Sequence, residues 1–457
     1  VTLFEDDVPR GRVPLRSRIP YSAFSLPNNA ISQAWGLWLI YFYAPPSDSD
    51  DPTRIPELFG LDPRLLLGIV LTTSRVLEAF DDPLIGYWSD RTQSRWGRRI
   101  PFIVLGTPLW GVLFALLFLP PAGDGAINLL FVFVVATAFY LLSNLSGAPM
   151  EALLPALARR KDDRLSVASW QVVFGVLGAV VGLSVSSLLQ GAYGFAVMAI
   201  SIAVIAVSVR FIALIGCWEY AKRDNKPAKP GLRATLREVL ANRQFLYYLP
   251  SFVLFQVALH LLTAVLPFYV DTVFLDGAIF GWTAEDDSGV YTFVLTASVI
   301  LGMLAAIPFF RGLARRRDKA SAFRAAMLGA AIYYPALFFA GFVPGIPTTV
   351  QAVAFIFLAG LPTAGVYLFP AIITADVVDE DAQRSGSPRA AMFYGTQNAL
   401  EKFATALAPL IFALVLLAGD SSENPLGIRL IGPVAGVLTL AAFLSFRRYS
   451  LEEQGEE

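Results

Sequence analysis

Residues 100–120 read I-P-F-I-V-L-G-T-P-L-W-G-V-L-F-A-L-L-F-L-P, twenty-one positions without a charge. A helix rises ~1.5 Å per residue and the hydrocarbon core of a bilayer is ~30 Å thick, so this run is long enough to span one. Arg98 and Arg99 stop it on one side, Pro120 and Pro121 on the other. Similar apolar stretches recur at about 21–44, 64–89, 128–156, 165–189, 194–218, 245–271, 288–310, 322–343, 348–374, 390–418 and 428–446. Together they predict an all-α membrane protein of twelve transmembrane helices. Composition agrees: 56% of the 457 residues are hydrophobic and 16% charged, against about a quarter charged in soluble domains.

The lysines and arginines sort by connection. Links from odd to even spans hold almost none, whereas even-to-odd links carry Arg91, Arg95, Arg98 and Arg99, then Arg159, Arg160, Lys161 and Arg164, then Arg311, Arg315, Arg316, Arg317 and Lys319. The positive-inside rule therefore places both termini in the cytoplasm of a cell whose plasma membrane holds the protein. Residues 1–18 are polar and charged, so no cleavable signal is expected and the first helix would direct insertion. The long basic link around K-P-A-K-P-G divides the chain into six-helix halves, 1–220 and 244–457, joined by a cytoplasmic linker at 221–243. That layout is the major facilitator fold, with a site between the halves near the midplane.

Ionisable groups inside apolar spans are functional candidates, since each costs ~2.5–3.5 kcal/mol at a helix centre by insertion scales. Span two holds Arg75, Glu78 and Asp82 at spacings that put all three on one helical face. Glu78 lies ~21 Å in from Arg64 at ~1.5 Å per residue. Two carboxylates on one stripe offer oxygen ligands to a sodium ion or a site for a proton. The competing reading is a permanent salt bridge from Arg75. Span eleven supplies Gln397, Asn398, Glu401 and Lys402. Lys402, the one lysine within a span, needs a carboxylate across the cavity. A mobile cation competing with it would couple ion and solute.

Other polar groups suit solute contact: Asn29 and Gln33 on span one, and Gln256, His260 (the single histidine) and Thr263 on one stripe of span seven. Trp35 and Trp38 suit either solute stacking or the lipid interface. Gly175, Gly178 and Gly182 at helical spacing read as close helix packing. The acidic residues Asp376, Asp379, Glu380 and Asp381 after span ten read as a solvated loop, or a gate onto basic loops of the other half. Cys217, the lone cysteine, excludes an internal disulfide. No nucleophile elbow, zinc spacing, phosphate loop or dinucleotide fingerprint occurs. An enzyme, a resident cofactor and a nucleic-acid partner are therefore not expected; a monomer in the lipid bilayer is.

The stretch R-V-L-E-A-F-D-D-P-L-I-G-Y-W-S-D-R-T-Q-S-R-W-G-R-R-I-P (75–101) resembles the signature of the glycoside–pentoside–hexuronide:cation symporter family, the family of melibiose permease. Gly86, Asp90, Arg91, Gly97, Arg98 and Arg99 also resemble the gating-loop motif of the wider major facilitator superfamily. Further similar stretches are A-P-M-E-A-L-L-P (148–155), A-D-V-V-D (375–379) and Y-G-T-Q-N-A-L-E-K (394–402). The resemblance implies that Glu78 and Asp82 hold the coupling cation, Na+ or H+, and that Lys402 and Arg75 are their charge partners. Glu78 stands where melibiose permease has aspartate, which leaves the ion open. The family's sugar-clamping charges on helices one, four and five fall on Asn28 and its neighbours, Gly147, and Gln171 or Val172. A galactoside is therefore disfavoured. The expectation is a cation-coupled symporter of a small organic solute, a sugar or glycoside, by alternating access. Rivals are a carrier of lysophospholipids or other amphiphiles on the same fold, and a solute sensor that does not transport.

Overall fold

The computed structural model describes residues 13–49, 51–78, 92, 94–97, 99–121, 123, 125–151, 153–158, 161–222, 239, 241–274, 278–279, 282–283, 288–385 and 390–450. Helices make up almost all of them. The first set comprises α1 (Leu15–Ser22), α2 (Ser25–Tyr43), α3 (Pro63–Glu78), α4 (Ile100–Leu117), α5 (Ala126–Glu151), α6 (Leu154–Leu157), α7 (Lys161–Val180) and α8 (Ser186–Lys222). The second set comprises α9 (Arg243–Thr272), α10 (Ser288–Arg316), α11 (Lys319–Tyr333), α12 (Thr348–Leu368), α13 (Pro370–Ser385), α14 (Ala390–Ala406), α15 (Ala408–Leu416) and α16 (Leu426–Phe446). Two-residue strands, Ala278–Ile279 and Trp282–Thr283, form a small antiparallel ladder between α9 and α10.

Nine stretches of the described residues are long and apolar enough to cross a membrane. One of them, Ser166–Ala221, contains a reversal at Gly194, where φ is +79°. That backbone conformation suits a residue without a Cβ, so the turn between two passes is built into the sequence. With this double pass, and with α2 and α3 packed into the same bundle, the helices accommodate the expected twelve crossings. Large apolar side chains remain exposed around the circumference, among them Leu105, Val204, Ile215, Ile332 and Val437. Such a girdle is the surface a bilayer covers and water does not tolerate. The chain is a multi-pass membrane protein.

Within the first set α2 packs on α7, α4 on α5 and α8, and α3 on α5; within the second, α10 packs on α12 and α16 on α9 and α11. The two sets meet where α2 touches α9, α3 touches α14 and α15, and α8 touches α10. The glycines of span five set how closely α2 approaches. A Cβ on Gly178 would meet the Leu26 carbonyl oxygen at 2.3 Å, and one on Gly182 the Ala30 oxygen at 2.3 Å. Gly175 has ordinary room by comparison, 3.5 Å from the Asn29 side chain. Gly182 also lies in a π-helical turn, Val181–Val185, that interrupts span five. α1 is tied to the bundle by the Tyr21 hydroxyl, which donates to the Met150 carbonyl at 3.1 Å, and by an Arg18–Asp163 pair at 3.6 Å.

The acidic residues after span ten are helical, not a loop. α13 carries them to Ser385. Asp376 accepts from Lys319 at 3.1 Å, and Glu380 accepts from Asn242 at 3.4 Å. These contacts lie within the second set, because continuing the helix aims the carboxylates at the starts of α9 and α11. Trp38 faces protein rather than lipid: it is buried and donates to the Ser186 hydroxyl at 3.0 Å. Trp35 stacks on Phe139 with centroids 4.8 Å apart.

Candidate substrate cavity and cation site

A cavity of about 750 Å³ separates the two sets. α2 contributes Asn28, Asn29, Ser32 and Gln33; α5 contributes Ser143, Asn144, Gly147 and Glu151; α9 contributes Gln256, His260 and Thr263; α14 contributes Asn398, Glu401 and Lys402. Arg75, Arg99, Arg210 and Tyr367 complete the polar wall. The cavity runs from mid-depth toward the end of the bundle that carries α1. A second, smaller compartment continues from it past Trp35, Glu78, Tyr140 and Phe412.

Glu78 stands at the end of the described part of α3 with only 2% of its side chain exposed. One oxygen accepts from Arg75 Nη1 at 2.5 Å, one helical turn away. The other accepts from Asn144 Nδ2 at 3.1 Å and lies 3.5 Å from Lys402 Nζ, which reaches over from α14. Lys402 also donates to Asn144 Oδ1 at 3.1 Å. One carboxylate is thus shared by a cation of its own helix and a cation of the opposite set. The Arg75 guanidinium is braced over the Tyr140 ring at 4.6 Å, a cation–π contact that holds it without neutralising it. Glu401, one residue before Lys402, accepts from Gln256 Nε2 at 2.7 Å.

Arg75, Lys402, Asn29, Gln33, His260 and Asn398, chosen from sequence, all line the cavity. Gln33 donates to the Tyr367 hydroxyl at 3.4 Å across the two sets, and His260 Nδ1 lies 2.8 Å from the Gln256 carbonyl. Gln397 does not line it: it is buried and accepts from Thr374 at 2.7 Å. Gln171 also lies apart from the cavity wall. Asp82, Gly86, Asp90, Arg91 and Arg98 lie outside the described residues. Of the loop motif, Gly97 adopts φ +98°, which asks for glycine, and Arg99 reaches the cavity.

Sequence reasoning missed Asn144 and Arg210. Asn144 is uncharged and gave no signal, although it links Glu78 and Lys402. Arg210 did give one, a charge within the apolar stretch 194–218, and the rule that selected Lys402 applies to it equally.

The opposite end of the bundle is closed. Arg64 at the start of α3 pairs with Asp420 of the second set and is held in place by Asp62 at 3.2 Å and the Pro45 carbonyl at 3.1 Å. Asp420 also accepts from the Ser47 amide and hydroxyl at 3.0 and 2.9 Å. Tyr41 bonds Asp271, Ser422 bonds Asp48, and the Ser184 and Thr296 hydroxyls meet at 3.2 Å. Among the described residues, the polar contacts between the sets lie at mid-depth or at this end.

Residues 20–453 match the MFS/sugar transport protein family. The chain belongs to that family. It falls within the glycoside–pentoside–hexuronide:cation symporter family of the major facilitator superfamily, a family of membrane transporters. The transporter is 23% identical to the isoprimeverose transporter of Lactiplantibacillus pentosus, over 52% of this chain and 51% of that one. It is 28% identical to the sodium-dependent lysophosphatidylcholine symporter 1 of Xenopus tropicalis, over 30% and 27%. The chain spans about half or less of the length of the curated relatives it matches. In architecture it is similar to the solved peptide transporter POT, with a TM-score of 0.62 at 13% identity over 94% of this chain and 93% of that one. That likeness concerns the fold alone.

Proposed function

We propose that the chain is a symporter that couples Na+ or H+ entry to uptake of a small organic solute, a sugar or glycoside, acting as a monomer in the plasma membrane. The observation that carries this reading is the buried Glu78 carboxylate, shared at the cavity wall between Arg75 and Lys402 of opposite sets. Both of its oxygens are engaged, so an entering cation must displace one partner. Lys402 is the one to leave: its contact is longer, it is partly exposed, and Asn144 offers it another acceptor. Asp82, four residues further along the sequence, is the second oxygen ligand we assign to the cation beside Glu78. Release of Lys402 changes an interaction between the two sets, which is how ion occupancy biases the conformational equilibrium.

With both termini in the cytoplasm, the α1 end faces inward. A cavity reaching toward that end and a sealed opposite end together describe the inward-facing state of alternating access. Asn29, Gln33, His260 and Asn398 would contact the solute. Purified protein in proteoliposomes, with sodium and pH gradients imposed separately across a solute panel, tests the reading. Glu78→Gln should abolish gradient-driven uptake and leave solute exchange measurable. Uptake by Glu78→Gln that still follows the ion gradient would remove Glu78 from the coupling site.

One observation favours an amphiphile as the solute. A small apolar pocket lined by Leu183, Leu262, Val299 and Met303 adjoins the cavity at Gln33, Thr263 and Tyr367, and an alkyl chain would fit such a slot. Faster uptake of an acylated than of an unacylated solute would support that alternative.

A further inference from the structure

Arg210 is a charge in the cavity wall that the coupling site does not use. Its side chain is 1% exposed in the second pass of α8. Nη1 donates to the Ser146 hydroxyl at 2.7 Å and Nη2 to the Asn28 side-chain oxygen Oδ1 at 2.5 Å. The guanidinium carbon Cζ lies over the Trp110 ring, 3.8 Å from its centroid, and Nε has no hydrogen-bond partner. Every one of these neighbours is neutral. Among the described residues no carboxylate comes within ion-pair distance, and Glu151 acts on it only through space.

Two accounts compete. In the first, Arg210 is a staple joining α2, α4 and α5. A buried guanidinium is a poor choice for that task, because neutral partners leave its charge uncompensated and desolvated. In the second, the missing negative charge arrives with the solute. The surroundings fit the second account. Gly147 places no side chain in front of the guanidinium, and a Cβ added there would come within 3.9 Å of Nη2. The described cavity lining holds Arg75, Arg99, Arg210 and Lys402 against Glu151 and Glu401. Glu78 and Glu401 both lie beside Arg75 and Lys402, whereas the hydrogen-bond and cation–π neighbours of Arg210 are neutral.

We propose that Arg210 is the recognition residue for an anionic group, a carboxylate, sulfonate or phosphate, on the transported solute. Asn28, Ser146 and Trp110 orient the guanidinium so that an oxyanion entering past Gly147 meets its planar fork, the geometry that arginine offers to such groups. This rests on the carrier reading above and adds the charge of the solute to it.

The test uses full-length protein in proteoliposomes and congener pairs differing in one anionic group. Methyl β-glucoside is paired with methyl β-glucuronide, glycerol with glycerol phosphate, and monoacylglycerol with lysophosphatidate. Competition against uptake and ligand-induced shifts in Tm are read for each. The wild type should prefer the anionic member of at least one pair by 10-fold or more. Preference confined to lysophosphatidate would identify a lipid headgroup as the source of the anion. Arg210→Gln should erase the preference. Asn28→Asp keeps the staple but supplies an internal carboxylate to Arg210, so it should lose the anion preference while Tm is held or raised. The proposal is overturned if neutral members bind as well as anions, if no anion binds, or if Asn28→Asp retains the wild-type preference. Ion-driven uptake of neutral congeners without any anion preference would defeat this proposal and leave the carrier standing. Absence of ion-driven uptake would defeat the carrier reading whatever Arg210 does.

Discussion

Among the described residues two ion pairs join the first set of helices to the second, and they are built differently. At the sealed end, Arg64 meets Asp420 with both side chains about nine-tenths buried, and each is fixed further by Asp62, Pro45 or Ser47. At mid-depth, Lys402 meets Glu78 across the cavity wall at 3.5 Å, and each has a second partner ready. Both contacts join a carboxylate to a cation. The first is over-determined, so it holds one conformation. The second is exchangeable, so its strength can depend on what occupies the cavity. A carrier needs both: a clasp that defines a state and a contact whose loss releases it.

The largest effect should come from the clasp. Arg64→Ala leaves Asp420 buried beside a missing cation, a loss of about 3–5 kcal/mol for a pair of this kind. Spin-label distances across the sealed end should lengthen and shift toward the opposite conformation. Unchanged distances would reduce the contrast between the two pairs to a matter of position. Lys402→Gln should lower gradient-driven uptake by about 10- to 100-fold, equivalent to ~1.4–2.7 kcal/mol, with little change in Tm. A large fall in Tm would show that the mid-depth contact is structural. Ser184→Ala removes one neutral hydrogen bond to Thr296, worth about 1 kcal/mol, and should shift the same spin-label distances slightly in the direction of Arg64→Ala.

The smallest effect, and the control, is at Asp318. It caps α11 within one half, accepting from the Ser321 amide and hydroxyl at 2.5 and 2.6 Å. Burial alone would raise its pKa, but the Ser321 bonds and Arg324 outweigh burial and hold it below the usual range. The folded pKa is depressed, so the cap's contribution is complete above the unfolded value of about 3.9 and fades as pH falls through the lower folded value. Asp318→Ala should cost about 1 kcal/mol, read as a small drop in Tm at neutral pH, and leave the conformational equilibrium untouched.

Much of the candidate site was legible because charge in an apolar helix is rare and costly. Glu78, Arg75 and Lys402 stood out by that rule alone, and the structure brings them together. Gln397 was chosen as a polar residue in a span and Gln171 as the family's helix-five position, both weaker signals, and neither lines the cavity. Polarity does not say which way a helix is rotated. Arg210 shows the converse, since its charge was visible but its neutral surroundings were not.

From the sequence alone came the membrane class, the order of the spans, the family and the charges set into helices. Each depends on runs or spacings along one strand of chain, which a bilayer of fixed thickness constrains locally. Only the tertiary structure decided that Glu78 is shared between the two sets of helices, that Asn144 links it to Lys402, that the end bearing Arg64 and Asp420 is closed, and that Arg210 has no carboxylate beside it among the described residues. Those facts depend on which helical faces meet across hundreds of residues, and that is fixed by packing, through close approaches such as Gly178 and Gly182 against α2, rather than by any pattern within one span.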